Sequence, residues 1–146
     1  MANLLGIATH AKKRAALTSM QSADVTLEKG VANDFRGKPG KRQVTVLSRE
    51  GWQAGCQAVG VELDWTARRA NLLIEGLDLQ KSAGRVLKIG DTKLLITQET
   101  DPCERMKEVH AGLYDALLPE WRGGVCCRVI QRGRISVGDT VELLDE

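Results

Sequence analysis

The sequence predicts a mainly β domain, with its strands closed into a barrel and only a few short helices. Two observations carry this. Short apolar or alternating runs recur between glycine-rich turns, as in V-T-V-L, L-L-I and V-C-C-R-V-I, and each has the length of a strand. Only two stretches show helical spacing, and they do not alternate regularly with the strands, which disfavours a parallel βαβ sheet. A closed barrel would hide the edges of so many short strands.

The elements follow in chain order. Asn3–Thr9 reads as a short apolar strand, and Lys12, Lys13 and Arg14 after it as a solvated turn. Val25 and Leu27 alternate in a second strand, Ala23–Glu28. Lys29–Arg42, K-G-V-A-N-D-F-R-G-K-P-G-K-R, holds glycines, a proline and an excess of basic residues, the composition of a loop. Gln43–Leu47 is β-branched and apolar, hence a strand. Ser48 is placed to cap a helix over Arg49–Ala58, with Glu50 in its first turn and Gly60 at its end. Val61–Leu63 is a further short strand, and a charged turn then runs into Leu72–Ile74. Gly84–Ile96 and Gly133–Leu144 both read as strand, Gly-Asp turn, strand.

Between these hairpins, Leu94–Ile96 ends in polar residues, and Pro102 suits a first helical turn. Met106, Val109, Leu113 and Leu117 then recur at helical intervals, until Pro119 stops the helix and Val125–Ile130 forms a strand. Cys103 is thereby placed inside the first helical turn. The helix dipole there would hold its thiolate below the free value of about 8.5. The alternative is a small buried apolar residue.

At 146 residues the chain suits one domain spanning 1–146. A net charge of +2 does not by itself indicate nucleic acid, and 3% aromatic residues leave little for bases to stack on. No apolar run is long enough for a transmembrane helix. The opening M-A-N-L-L-G-I-A-T-H-A-K-K-R puts its basic residues after the apolar run, the reverse of a secretory signal. Free thiols in a reducing cytoplasm are therefore expected for Cys56, Cys103, Cys126 and Cys127. No C-x-x-C pair suggests zinc.

Several residue sets have the chemistry of a site. Arg36, Lys38, Lys41 and Arg42 put four cations among glycines, which suits an oxyanion, although the order is not that of a P-loop. A mobile, charge-solubilised loop is the other reading. Arg68, Arg69 and Asn71 supply planar donors for anion recognition, or form a charged turn. Strand alternation turns Cys126 and Cys127 to opposite faces, a poor ligand pair, though one could resolve Cys103. Cys56 falls in the predicted core. His10 and His110 lack triad company, and His110 lies about 10 Å along the helix from Cys103.

These pieces together resemble the MOSC domain, the C-terminal module of eukaryotic molybdenum cofactor sulfurases that also occurs as small stand-alone bacterial proteins. The matching segments are G-K-P-G-K-R-Q-V-T-V-L-S, R-R-A-N-L-L-I-E-G, D-P-C-E-R-M and the closing G-G-V-C-C-R-V-I-Q-R-G-R-I-S-V-G-D-T-V-E-L, in family order over about Lys29–Leu144. The resemblance implies a MOSC-type β-barrel with Cys103 as the essential thiol. That thiol would either carry sulfur as a persulfide or bind the molybdenum of a pterin cofactor. It implies that Arg69 and Asn71, as the R-x-N element, help hold the cofactor's phosphate and pterin, with Arg42 matching a further arginine and Lys41 and Arg68 beside them. The pyridoxal-phosphate domain of full sulfurases is absent, so a separate cysteine desulfurase would load Cys103. Where the family carries Gly-Asp, this chain reads A-N-D-F-R-G. Two other functions are open: reduction of N-hydroxylated compounds with an electron-donor protein, and nucleic-acid binding through the Lys29–Arg42 loop.

Overall fold

The computed structural model describes residues 2–145. Strand β1 (Asn3–Thr9) leads to β2 (Thr18–Met20), β3 (Ser22–Thr26) and β4 (Gly30–Val31). The basic loop follows, then β5 (Val44–Ser48), helix α1 (Arg49–Ala58), a 3-10 turn at Trp65–Arg68, and β6 (Leu72–Glu75). Next come β7 (Val86–Ile89), β8 (Thr92–Glu99), helices α2 (Arg105–Val109) and α3 (Leu113–Ala116), and β9 (Val125–Gln131), β10 (Gly133–Ser136) and β11 (Val141–Leu144).

Eight strands form one sheet in the order β11-β7-β8-β9-β5-β6-β1-β2, and β10-β3-β4 form a second. The mainly β character with short helices stands, but the closed barrel does not. Both sheets are open. The N-terminal end of β1 meets the turn before β11 through the Asn3–Thr140 bridge and a few backbone bonds, without a ladder. The strands at the ends of the large sheet are only three and four residues long, which limits their exposed edges without closure.

Three local expectations also change. Val61–Leu63 is not a strand. Gly133–Leu144 is not a hairpin, because β10 pairs with β3 while β11 pairs with β7. The helix after Pro102 breaks in two, since His110 is extended and Gly112 is left-handed at φ +82°. One pair is parallel: β5 crosses through α1 to β6, placing Val46 opposite Leu72.

Alternation along β5 and β6 builds two cores. Val44, Val46, Leu72 and Ile74 face the main core with Leu4, Ile7, Leu94 and Ile96. Leu47 and Leu73 face the other way and pack under Trp52, Cys56, Met106, Leu113 and Leu117 of the helical layer. Each such aliphatic side chain stabilises the fold by about 1.5–3 kcal/mol. Ser48 caps α1 as expected, its Oγ accepting from Gly51 N–H at 2.9 Å. No helix among the described residues is long and apolar enough to cross a membrane.

Candidate functional site

Where β1, β5 and β6 come together, Asn71 ties them. Its Oδ1 accepts from Thr45 N–H at 3.1 Å and its Nδ2 donates to the Ala8 carbonyl at 3.2 Å. The side chain is buried, and both hydrogen-bonding ends of the amide are engaged by the protein. Asn71 thus ties the strands together at the wall of the site. The preceding Arg69 sits in the left-handed region at φ +64°, and its guanidinium donates to the Ala15 carbonyl at 2.7 Å.

The basic loop is pinned, not mobile. Gln43, fully buried, donates through Nε2 to the carbonyls of Leu27 (2.7 Å) and Gly37 (3.0 Å) and accepts from Val129 N–H (2.9 Å). Asp34 accepts from the backbone N–H groups of His10 (2.8 Å) and Arg36 (3.1 Å). These bonds fix Arg36 and Arg42 opposite Arg69.

The result is a recess of about 200 Å³. Lys13 and Arg14 reach it from the segment after β1, Arg36 and Arg42 from the loop, Arg69 from the turn before β6, and Arg105 from the start of α2. Six cations thus surround it, and Asp34 is the sole carboxylate on its wall. The Arg69 guanidinium is pushed down chiefly by burial and then by Arg105, with Arg36 adding; Asp34 and Cys103 oppose this. Because guanidinium stays charged, such crowding raises the energy of the empty recess and favours an anion within it.

Cys103 is exposed and is not on the wall of this recess, but it lies near enough to Arg69 for their charges to interact. The expected dipole support is absent. Cys103 precedes the Glu104 cap, outside a helix of only five residues. Two arginines, Arg68 and Arg69, lie within charge range of Cys103. Arg68 is buried and donates to the Asp101 carbonyl at 3.2 Å, with Nε unpartnered. Burial lowers its pKa, and attraction to Cys103 and Cys126 opposes that. Arg68 therefore backs the thiol and does not line the recess.

Arg42, Arg69 and Asn71 do converge, as expected. Lys41 does not: with Lys38 it lines a shallower neighbouring surface. Cys126 is buried with Sγ 3.1 Å from Thr100 Oγ1, and Cys127 lies in the main core, where burial pushes its thiol up. Burial likewise raises the Cys56 thiol. Among the described residues no three His, Cys, Asp or Glu side chains converge as a metal site.

Sequence reasoning missed His10, Asp34, Lys13, Arg14 and Arg105 as wall residues. Lys13 and Arg14 read as solvent-facing, and Arg105 stood unassigned within D-P-C-E-R-M. The pairing of His10 with Asp34 spans 24 positions with no local pattern to announce it.

A family model described as the MOSC domain matches residues 18–142. Among solved structures, the chain is similar to the YuaD protein from Bacillus subtilis at 20% identity and TM-score 0.80, covering 98% of this chain and 96% of that one. It is also similar to YiiM from Geobacillus stearothermophilus (18%, TM-score 0.69, 98% and 73% covered) and YiiM from Escherichia coli (16%, TM-score 0.73, 99% and 70% covered). At these identities the likeness concerns the fold. No curated protein matches the sequence.

Proposed function

The chain belongs to the MOSC domain family, and from that premise we propose that it binds a molybdenum-pterin cofactor or a closely related phosphate-bearing group. Cys103 acts as its sulfur carrier or metal ligand. One observation carries the reading: six cations enclose a small recess beside the only exposed thiol among the four cysteines. The recess, about 200 Å³, has room for a phosphate group. The reading places that group among the arginines and the soft end of the ligand at Cys103.

The donor set fits this division. Arg36, Arg42, Arg69 and Arg105 supply planar hydrogen-bonding cations suited to phosphate. An accessible thiolate suits soft molybdenum or sulfur. Arg68 stabilises negative charge on that sulfur from behind, and Asn71 keeps Arg69 in place through the shared turn. When bound, the cofactor would supply two-electron redox or oxo-transfer chemistry. Loading of sulfur would need a desulfurase, and reductive use against N-hydroxylated compounds an electron donor. Convergence of the cations on one recess, instead of a basic stripe, favours a small anion over a polynucleotide.

The test is metal analysis, pterin fluorescence and peptide mass mapping on protein isolated from a molybdenum-replete host. The reading expects either molybdenum with pterin, lost in Cys103→Ser, or one extra sulfur atom mapped to Cys103. Protein that carries none of these, and takes up none when exposed to released cofactor or to a desulfurase with cysteine, overturns it.

A further inference from the structure

The recess has one wall group that the proposal above leaves idle. His10 is buried at the end of β1 and faces the same space as the arginines. Its Nδ1 lies 3.0 Å from Asp34 Oδ1, yet off hydrogen-bond alignment. The Phe35 ring packs 5.8 Å from the imidazole, centroid to centroid. Asp34 is itself buried, and both its oxygens are already engaged by backbone N–H groups. Its carboxylate is therefore held in place beside the imidazole.

We infer that His10, held against Asp34, is the proton-accepting wall of the recess, so that a doubly charged tetrahedral oxyanion enters together with a proton on the imidazole. This rests on the reading of the recess as an anion site and names which anionic charge it selects.

Two opposing influences act on His10. The Asp34 carboxylate, 3.0 Å from Nδ1, is a ready partner for a proton there. Lys13, Arg14, Arg36, Arg42, Arg69 and Arg105 line the same recess and are like-charged neighbours of such a proton. Neutralising that ring of cations removes the opposition and leaves Asp34 in control. An incoming dianion does this, and it gains a further cationic neighbour when His10 takes up its proton. Reciprocity then requires that if the anion promotes proton binding, acidity promotes anion binding by the same factor. Imidazole is the side chain suited to such an exchange near neutral pH. Cys103, beside Arg69, is the other nearby group whose ionisation needs to be separated out. Thr45 and Asn71, the remaining wall groups, do not titrate. A monoanion relieves the crowding less and draws less proton uptake, which makes His10 a discriminator of ligand charge.

Sulfate is the appropriate probe, because it stays a dianion across the pH range of interest and does not react with thiols. Calorimetry in buffers of different ionisation heat should show fractional proton uptake on sulfate binding to the whole chain. Affinity should rise about tenfold from pH 8 to pH 6, as expected for one added charge at a partly buried site. His10→Gln should abolish the uptake and flatten the profile, whereas Cys103→Ser should keep both. Because His10 is buried, a second measurement uses the unaltered protein. The chain has only two histidines, and saturating sulfate should raise the NMR titration midpoint of His10 while leaving His110 in place. Sulfate binding without proton uptake and without movement of the His10 midpoint overturns this inference alone. Absence of sulfate binding at every pH takes down the anion-site reading together with it.

Discussion

Replacing Asn71 by alanine separates a residue that builds the site from one that grips a ligand. In the folded chain Asn71 Oδ1 accepts from Thr45 N–H and Nδ2 donates to the Ala8 carbonyl, both in buried surroundings. The longer 3.4 Å approach of Thr45 Oγ1 adds little. Truncation deprives two buried backbone groups of these partners at about 1–3 kcal/mol each, so the loss should be about 2–6 kcal/mol. That is a large share of the roughly 5–15 kcal/mol typical of a domain. With a denaturant slope of about 2 kcal/mol per molar urea, the midpoint should fall by about 1–3 M. Tryptophan fluorescence can follow the transition. Arg69→Gln, which gives up only the bond to Ala15, should cost less than about 1 kcal/mol yet weaken sulfate binding severely. If Asn71→Ala unfolds within about 0.5 kcal/mol of the parent and loses only anion affinity, Asn71 is a ligand contact and the structural assignment is wrong.

Other consequences follow from the same geometry. Gln43→Leu should destabilise the chain by about 3–5 kcal/mol, since it strips partners from Leu27, Gly37 and Val129, and protease should then cut the released basic loop. Under native conditions one thiol of four should react rapidly with a disulfide reagent, and peptide mapping should find it at Cys103; prompt labelling of Cys126 would contradict the burial. The Glu99 carboxyl is raised by burial and by Asp101, so the folded chain keeps that proton to higher pH than the unfolded chain. Stability from this group falls as pH rises through the carboxylate range. Glu99→Gln should therefore unfold at higher urea than the parent at pH 7, with the difference vanishing in acid.

What the sequence disclosed and what it hid divide along a physical line. Local signals worked: the Ser48 cap, the alternation of Val44, Val46 and Leu47, and the Gly90-Asp91 turn between β7 and β8 all act within a few residues. Pairing partners were harder. G-R-I-S-V-G-D-T-V-E-L-L has the same turn chemistry as the first hairpin, yet its halves join different sheets, because each strand finds a better apolar face elsewhere. Closure failed as an expectation for a related reason: strand count says that edges need protection, not which device protects them. The motifs pointed to Arg42 and Arg69, which the fold brings to one recess, and to Cys103, the exposed thiol. Asn71 lies on the recess wall, but nothing in R-R-A-N shows that its amide also ties Thr45 to Ala8. His10 and Asp34 could emerge only once β1 and the basic loop were side by side.

The central claim is that Cys103 sits in the positive field of the arginine recess, and competing alkylation tests it most directly. Iodoacetate and iodoacetamide attack the same thiolate, so the ratio of their rates at Cys103 cancels its ionisation and reports the local potential. The account predicts a ratio well above that of glutathione, falling towards it in molar salt, where screening shortens to about 3 Å, and falling also in Arg69→Gln. A ratio equal to that of glutathione at low salt, unmoved by Arg69→Gln, would contradict it.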